Sequence, residues 1–558
     1  MKWWPVENFW QKYGAVIFIV ALFCVFRLPL LGNMYHQDEY KWAQIVDPYF
    51  NQMGQIPHPP LAEVTYHYFG QVFGYLHLRI VPFIFSLAIL WLLYKVVSNE
   101  FGKKAALVAT FLYAIIPYAV MASIQIDIDG AILPFFVLLT VFCWRKYLGQ
   151  ANVKNGAAVI GALAGGFLSK ISFILIGPSL LYEAFNKGVI RFKVTQIKKI
   201  SLLLAAVVGG GLIIAGFLAW LYPGLELGRI VNYAKSFSFL NLGARNYAQV
   251  VFLSAKATML LSPILLLVIW AAFKNLRKYA FWSIYALSGI IFYLVLFDFS
   301  NRTLDRYLMI LTLPMVIIGA DVIGEWLFDL KRSRASIMTG AGVALVTTLI
   351  LMIPTRILPL VPKEAYVAAV KSFHFDFLIP FSSGSGPIGF YLSALFIGAV
   401  WLLSLIAVVF LCKRRVSDLI KVALISLITV YCFVMNVEAA TGVLYGSPDK
   451  VARKLTTQLT SNPSINEVIT YNDIAGYELG RSGQYFKRFY THPIFAESTV
   501  NKMKEYSGYY LVVDFPEIDK SSNYWDYLQS CDQVSEVQSG LIKGYIFDCV
   551  KGNKNLLN

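Results

Sequence analysis

The chain has 558 residues, 58% of them hydrophobic and only 14% charged, with a mean hydropathy of +0.61 and a formal net charge of +16. Soluble globular domains carry about 25% charged residues, so this balance excludes the soluble classes and puts the chain in a bilayer. The basic residues are scattered in short clusters between apolar runs, where a membrane protein keeps its cytoplasmic loops, and this argues against nucleic acid as a partner.

Apolar runs recur at about residues 14–30, 77–94, 105–121, 130–144, 156–168, 171–185, 201–221, 255–273, 280–298, 307–328, 336–353, 390–412 and 419–438. Most approach the roughly 20 residues that an α-helix needs to cross the hydrocarbon core, so the expectation is thirteen spans. The first run lacks a small-residue cleavage site, and many spans follow it, so it is expected to stay as an uncleaved helix. Residues 156–185 join two basic flanks, which requires a hairpin of two short helices around Lys170 rather than one long span.

Taking alternate connections, the stretches 95–104, 143–155, 186–200, 274–280, 329–335 and 413–421 hold 21 Lys or Arg against three Asp or Glu. The positive-inside rule makes them cytoplasmic. The first long loop, residues 31–76, has the opposite balance, with Asp38, Glu39, Asp47 and Glu63 against Lys41 alone. An odd number of spans then leaves the N-terminus in the cytoplasm and residues 439–558 outside. That last segment is more polar, with a helix expected at 448–461 and strands at 466–471, 508–514 and 544–549, as in a small α/β domain. The division expected is a transmembrane domain over 1–438 and an extracytoplasmic domain over 439–558. Cys531 and Cys549 are the two cysteines that share a polar region, where an oxidising compartment would permit a disulfide. Cys24, Cys143, Cys412 and Cys432 lie in or beside apolar runs.

Charged residues with no topological reason to be near the membrane mark candidate chemistry. The first outer loop opens with HQDEYKWA at 36–43 and continues to HPPLAEV at 58–64. Asp38 and Glu39 follow directly on the first span, where partial desolvation raises carboxylate basicity and suits a general base. A solvated turn is the plain alternative. His58, stiffened by the two prolines after it, fits a hydrogen-bonding anchor better than a metal ligand. In SIQIDIDGAILPFF, Asp127 and Asp129 stand in an apolar stretch, facing a cavity or, for Asp129, capping the next helix. Arg79, Lys170 and Arg306, the last followed by Tyr307, are cations at the outer ends of spans, which serve as snorkelling anchors or together hold a phosphate.

The DEYKWA run, HPPL, the turn IDGAILPFF, LSK at 168–170 and RYLMILTLP at 306–314 resemble, in order and spacing, the GT-C membrane glycosyltransferases, with the protein O-mannosyltransferases and the lipid A aminoarabinose transferases as the nearest groups. The resemblance covers about residues 10–330 by motif and the remainder by layout. It implies a GT-C fold and an inverting transfer of sugar from a polyprenyl-phosphate carrier to a protein, lipid or glycan acceptor on the outer face of the cytoplasmic membrane. It also implies roles. Asp38 takes the place of the catalytic acid with Glu39 beside it, and Lys41 matches the basic residue that follows. Asp129 matches the second acidic site with Asp127 as its fallback, and Lys170, Arg306 and Tyr307 match the carrier-phosphate site. Asp129 would orient acceptor or sugar, or help to bind a divalent cation. Two departures, His58 before the double proline and Asp305 where a histidine is common, leave the acceptor and the metal open. A multi-span transporter or flippase of a lipid-linked substrate is the rival class, but no internal symmetry of halves supports it.

Overall fold

In the computed structural model, the residues described are 6–52, 59–188, 247–296, 304–329, 333–360, 364–382, 386–412, 417–470, 474–483, 485–488 and 508–549, with short helical pieces between 209 and 228. They divide into two units. The first comprises 1–31, 45–340 and 404–432, and the second 32–44, 341–403 and 433–558. The second unit therefore takes its last piece from close to the expected boundary at 438, and adds the start of the first outer loop and residues 341–403.

Apolar sequence makes the first unit helical, and its breaks fall where the backbone demands them. Residues 77–121, expected as two spans, run as the helix Ile80–Ile115 with a turn at Gly102, whose φ of +89° only glycine holds without a Cβ clash. Pro117 then starts a new short helix, Pro117–Ala122, and the chain turns into the next span. Among the described residues, eight helices are long and apolar enough to cross a membrane: Tyr13–Leu31, Ile80–Ile115, Ile128–Gly149, Leu276–Val295, Leu308–Leu327, Arg334–Leu351, Ala394–Leu411 and Asp418–Thr441. A ninth would be Ser254–Leu261 with Ile264–Lys274, bent by 89° where Pro263 ends the first piece. The expected hairpin at 156–185 is a pair of short apolar helices, Val153–Ser169 and Ile171–Asn186. Most of the expected span at 201–221 lies outside the described residues. Leu308–Leu327 is almost wholly buried and forms the centre of its unit, whereas Arg334–Leu351 fully buries only Thr347, as suits a helix that faces lipid.

Two charge clusters, one partly buried and one largely exposed, tie one end of this unit together. Arg145 bonds Glu100 at 2.6 Å and Glu183 at 3.1 Å, and the Trp282 indole donates to the same Glu100 oxygen at 3.0 Å. Lys278 pairs with Asp321 at 2.5 Å and Glu325 at 2.8 Å. Both lie beside the Lys- and Arg-rich connections. Asp129 and Arg145 are sixteen residues apart on Ile128–Gly149, about 24 Å along a helix, so the acids of the 127–129 turn belong to the other end.

The second unit carries the polar C-terminal segment. Ser447 caps the helix Pro448–Thr460 by accepting the Lys450 amide, within one residue of the expected helix. Its strands are β3 (Glu467–Thr470), β4 (Tyr485–Arg488), β5 (Tyr509–Val513), β6 (Asp532–Ser539) and β7 (Ile542–Asp548), in the order β4-β3-β5-β7-β6. β3 runs parallel to β4 and β5, and β7 pairs antiparallel with β5 and β6. The helix packs on this sheet through Val451, Leu455 and Leu459, all fully buried. Gly544 permits the approach, because a Cβ there would meet Val451 Cγ1 at 2.4 Å. Cys531 and Cys549 are joined by a disulfide at the edge of this core. Upstream, β1 (Leu378–Pro380) and β2 (Tyr391–Ser393) form a small antiparallel ribbon ahead of the span Ala394–Leu411.

Candidate active site

The first unit assembles a charged cluster at the ends of three helices. Its acids come from the turn before Ile128–Gly149, which opens with a wide i→i+5 turn over Ile128–Ile132. Such turns are rare and mark functional sites more often than plain helix does. Gly130 permits it: a Cβ at this position would lie 2.4 Å from the Ala122 carbonyl oxygen. Asp127 Oδ1 accepts the Ile128 amide at 2.6 Å and so takes the capping role. Asp129 is left to face the cluster.

Lys170, extended at the end of Val153–Ser169, places its Nζ 2.5 Å from Asp129 Oδ2. Arg306, in the short helix Leu304–Tyr307 ahead of the central span, puts Nε 3.1 Å from Asp127 Oδ2 and 3.6 Å from Asp129 Oδ2, and donates from Nη2 to the Tyr307 hydroxyl at 2.9 Å. The Tyr307 ring lies 4.8 Å from Lys170 Nζ and stacks on Tyr293 with centroids 5.1 Å apart. Asp127, Asp129, Lys170, Tyr293 and Tyr307 are buried, and the Arg306 side chain is 11% exposed. Burial pushes the Asp127 carboxyl upward from its ordinary range, while Arg306 pulls it back. A carboxyl in this balance sits nearer to a protonatable condition than a free one.

Tyr66 completes the cluster. It lies on Pro60–Phe73, the helix started by the double proline, and its hydroxyl donates to the Asp127 carbonyl at 2.9 Å and accepts the Asp127 amide at 3.0 Å. The HPPL motif therefore positions the acidic turn. Nothing in the sequence pattern singles out Tyr66 or Tyr293 among 33 tyrosines.

Other residues of the sequence motifs make contacts of their own. Arg79 is fully buried just before Ile80–Ile115, with Nη1 3.5 Å from the Leu30 carbonyl. His67 bonds the Val46 carbonyl through Nδ1 at 2.9 Å. His58 lies outside the described residues, as does the Asp305 side chain. In the second unit, Gln37 adopts a φ of +48° and Asp38 opens the helix Asp38–Val46, with both acids in its first turn where the helix dipole favours them. Asp38 pairs with Lys41 at 2.9 Å and keeps its side chain 21% exposed, whereas Glu39 is fully buried. His36 is also buried and donates from Nδ1 to the Gly386 carbonyl at 3.1 Å. Among the described residues no three His, Cys, Asp or Glu side chains converge as a metal site would require.

Residues 57–220 match the family model described as dolichyl-phosphate-mannose-protein mannosyltransferase. The crystal structure of ArnT from Cupriavidus metallidurans bound to undecaprenyl phosphate superposes with a TM-score of 0.54 at 13% identity, over 97% of this chain and 99% of that one. The apo structure of the same protein gives 0.56 over the same shares and at the same identity. The arabinosyltransferase EmbB from Mycobacterium smegmatis gives 0.47 at 10% identity, over 87% of this chain and 44% of that one. No curated protein sequence matches the chain. The chain thus shares the fold of ArnT over nearly its whole length, and within it residues 57–220 are similar to the dolichyl-phosphate-mannose-protein mannosyltransferases.

Proposed function

We propose that the chain moves a sugar, with inversion, from a polyprenyl-phosphate carrier to an acceptor on the outer face of the cytoplasmic membrane. The observation that carries this reading is the buried cluster of Asp127, Asp129, Lys170 and Arg306 at the span ends away from the basic connections. Burying an ion costs several kcal/mol even after relaxation, so four together are a poor way to gain stability and a good way to prepare for a charged ligand. Lys170 and Arg306 suit a lipid phosphate, the first as a point charge and the second as a fork of donors. The solved ArnT complex with undecaprenyl phosphate supports that kind of carrier for this chain.

In the mechanism, Asp38 takes the proton from an acceptor hydroxyl as the oxygen attacks the anomeric carbon and the carrier phosphate departs. Lys170 and Arg306 stabilise the charge on the leaving phosphate, a preorganised electrostatic role that needs no proton donor. Asp129 holds Lys170 in place and orients sugar or acceptor, and Tyr307 closes the cation pair from one side. The Cys531–Cys549 disulfide and the Lys- and Arg-rich connections support an outward-facing C-terminal segment.

The test is release of polyprenyl phosphate from a labelled undecaprenyl-phosphate sugar by purified protein in detergent, where no gradient exists for a transporter to use. Asp38→Asn should lower turnover by a factor of about 10² to 10⁴, the usual contribution of a general base, while the variant elutes as the native protein does. Full activity in that variant removes Asp38 from the mechanism, and no release by the native protein removes the transferase reading.

A further inference from the structure

The sequence between the spans Arg334–Leu351 and Ala394–Leu411 alternates two interests. Tyr366 and Ala369, three apart on the helix Glu364–Lys371, turn inward. The Tyr366 hydroxyl donates to the carbonyls of Leu358 and Leu378, and its ring meets Phe377 edge-on at 5.3 Å. Ala369 and Phe377 bury against Ala394, the first residue of the following span, and the Ala394 amide bonds the Phe377 carbonyl at 2.9 Å. The short helix is thus held at the level where that span begins.

Its other face is apolar and uncovered. Val367, Val370 and Phe373, spaced by three, point outward, Phe373 with 83% of its surface exposed. Met352, at the end of the preceding span, is 74% exposed, and Ile353 and Phe375 extend the same apolar character. The helix ends in a Schellman turn, with the His374 amide bonding Ala369 O at 2.9 Å and the Phe373 amide bonding Val370 O at 3.2 Å. The residue at its left-handed position is Phe373, at φ +57°, where glycine or asparagine is the usual choice. A bulky aromatic held in a disfavoured backbone conformation and fully presented to the outside gains nothing in a watery loop.

We propose that residues 352–360 and 364–375 form a membrane foot, with Val367, Val370, Phe373 and Phe375 lying in the boundary between headgroups and acyl chains on the side opposite the Lys- and Arg-rich connections. Continuity with the span surfaces on both flanks, from Met352 on one side and through Ala394 on the other, makes the lipid interface the occupant of this face. An amphipathic helix with its apolar side a few ångströms into that boundary is a familiar interfacial anchor. The foot fixes the height at which the β1/β2 ribbon stands over the bilayer.

The test uses the full chain in lipid nanodiscs, with Cys24, Cys143, Cys412 and Cys432 replaced by Ala and a single reporter cysteine carrying an environment-sensitive fluorophore. Phe373→Cys and Val367→Cys report on the foot, and Gln538→Cys, on an exposed position of β6, serves as the aqueous reference. The foot labels should emit to the blue of the reference and be quenched several-fold more by phospholipids carrying a spin label high on the acyl chain. They should also be shielded from iodide. Iodide quenching equal to that at Gln538→Cys overturns the proposal, and so does a blue-shifted label that lipid spin labels do not reach, which would mean a protein partner. No turnover is measured, so the result stands apart from the transferase reading.

Discussion

At the scale of single residues, the cluster around Asp129 is where structure and chemistry are hardest to separate, because a buried ion pair is costly to break whatever it is for. Lys170→Met leaves Asp129 with Arg306 at 3.6 Å as its remaining cation. The loss should therefore fall toward the lower end of the roughly 3–5 kcal/mol seen when one partner of a buried pair is removed. The double variant Lys170→Met with Asp129→Leu should recover most of that stability, since an apolar replacement of both partners is often neutral. Neither variant should release polyprenyl phosphate. Thermal unfolding in detergent and the release assay read the two effects separately, and a double variant that regained both would reduce the pair to a staple. The charged members of this cluster were legible in the sequence because Asp, Lys and Arg at the edges of apolar runs have no cheap place to go. Tyr66 and Tyr293 were not, since a tyrosine is equally at home in a lipid-facing belt, a core or a hydrogen-bond clamp, and packing decides which.

At the scale of elements, legibility followed the strength of the hydrophobic pattern. The helix Pro448–Thr460 and the strands β3, β5 and β7 lie within about two residues of the positions read from sequence, because each presents an apolar face to one core. β6, with the sequence DQVSEVQS, was invisible for the opposite reason: it is an edge strand with no fully buried residue, and cross-strand pairing with β7 alone creates it. The Gly102 turn shows a third case, in which one glycine, at the polar break between two apolar runs, separates the two helical segments that those runs predict. The disulfide fastens the weakly patterned end of this sheet, because Cys531 precedes β6 and Cys549 follows β7. Closing eighteen residues should lower the entropy of the unfolded chain by the equivalent of about 3 kcal/mol. Replacing both cysteines with Ala should therefore lower the stability of β6 and β7 by about that amount. Hydrogen exchange should show the faster opening at their amides, while amides in the central span Leu308–Leu327 stay unchanged. Equal acceleration in both places would mean that the bridge acts through something other than local chain entropy.

At the scale of the whole molecule, the quantity with the largest consequence is parity, since an odd number of spans puts the two ends of the chain on opposite sides of the membrane and an even number does not. The basic residues argue for one orientation on electrostatic grounds, with 21 Lys or Arg against three acids in alternate connections. Eight long apolar helices, one bent pair and one pair of short helices among the described residues supply the spans, and two exposed positions report their parity. Lys154 stands in a connection expected to face the cytoplasm, and Gln538 in the segment expected to face outward. With the four free cysteines replaced, Gln538→Cys should react with a membrane-impermeant maleimide in intact cells, and Lys154→Cys only after the membrane is opened. Reaction of Lys154→Cys in intact cells would invert the orientation of its span and move the proposed transfer to the cytoplasmic face. Reaction of both in intact cells would break the odd count, and with it the link between the basic connections and the outward disulfide.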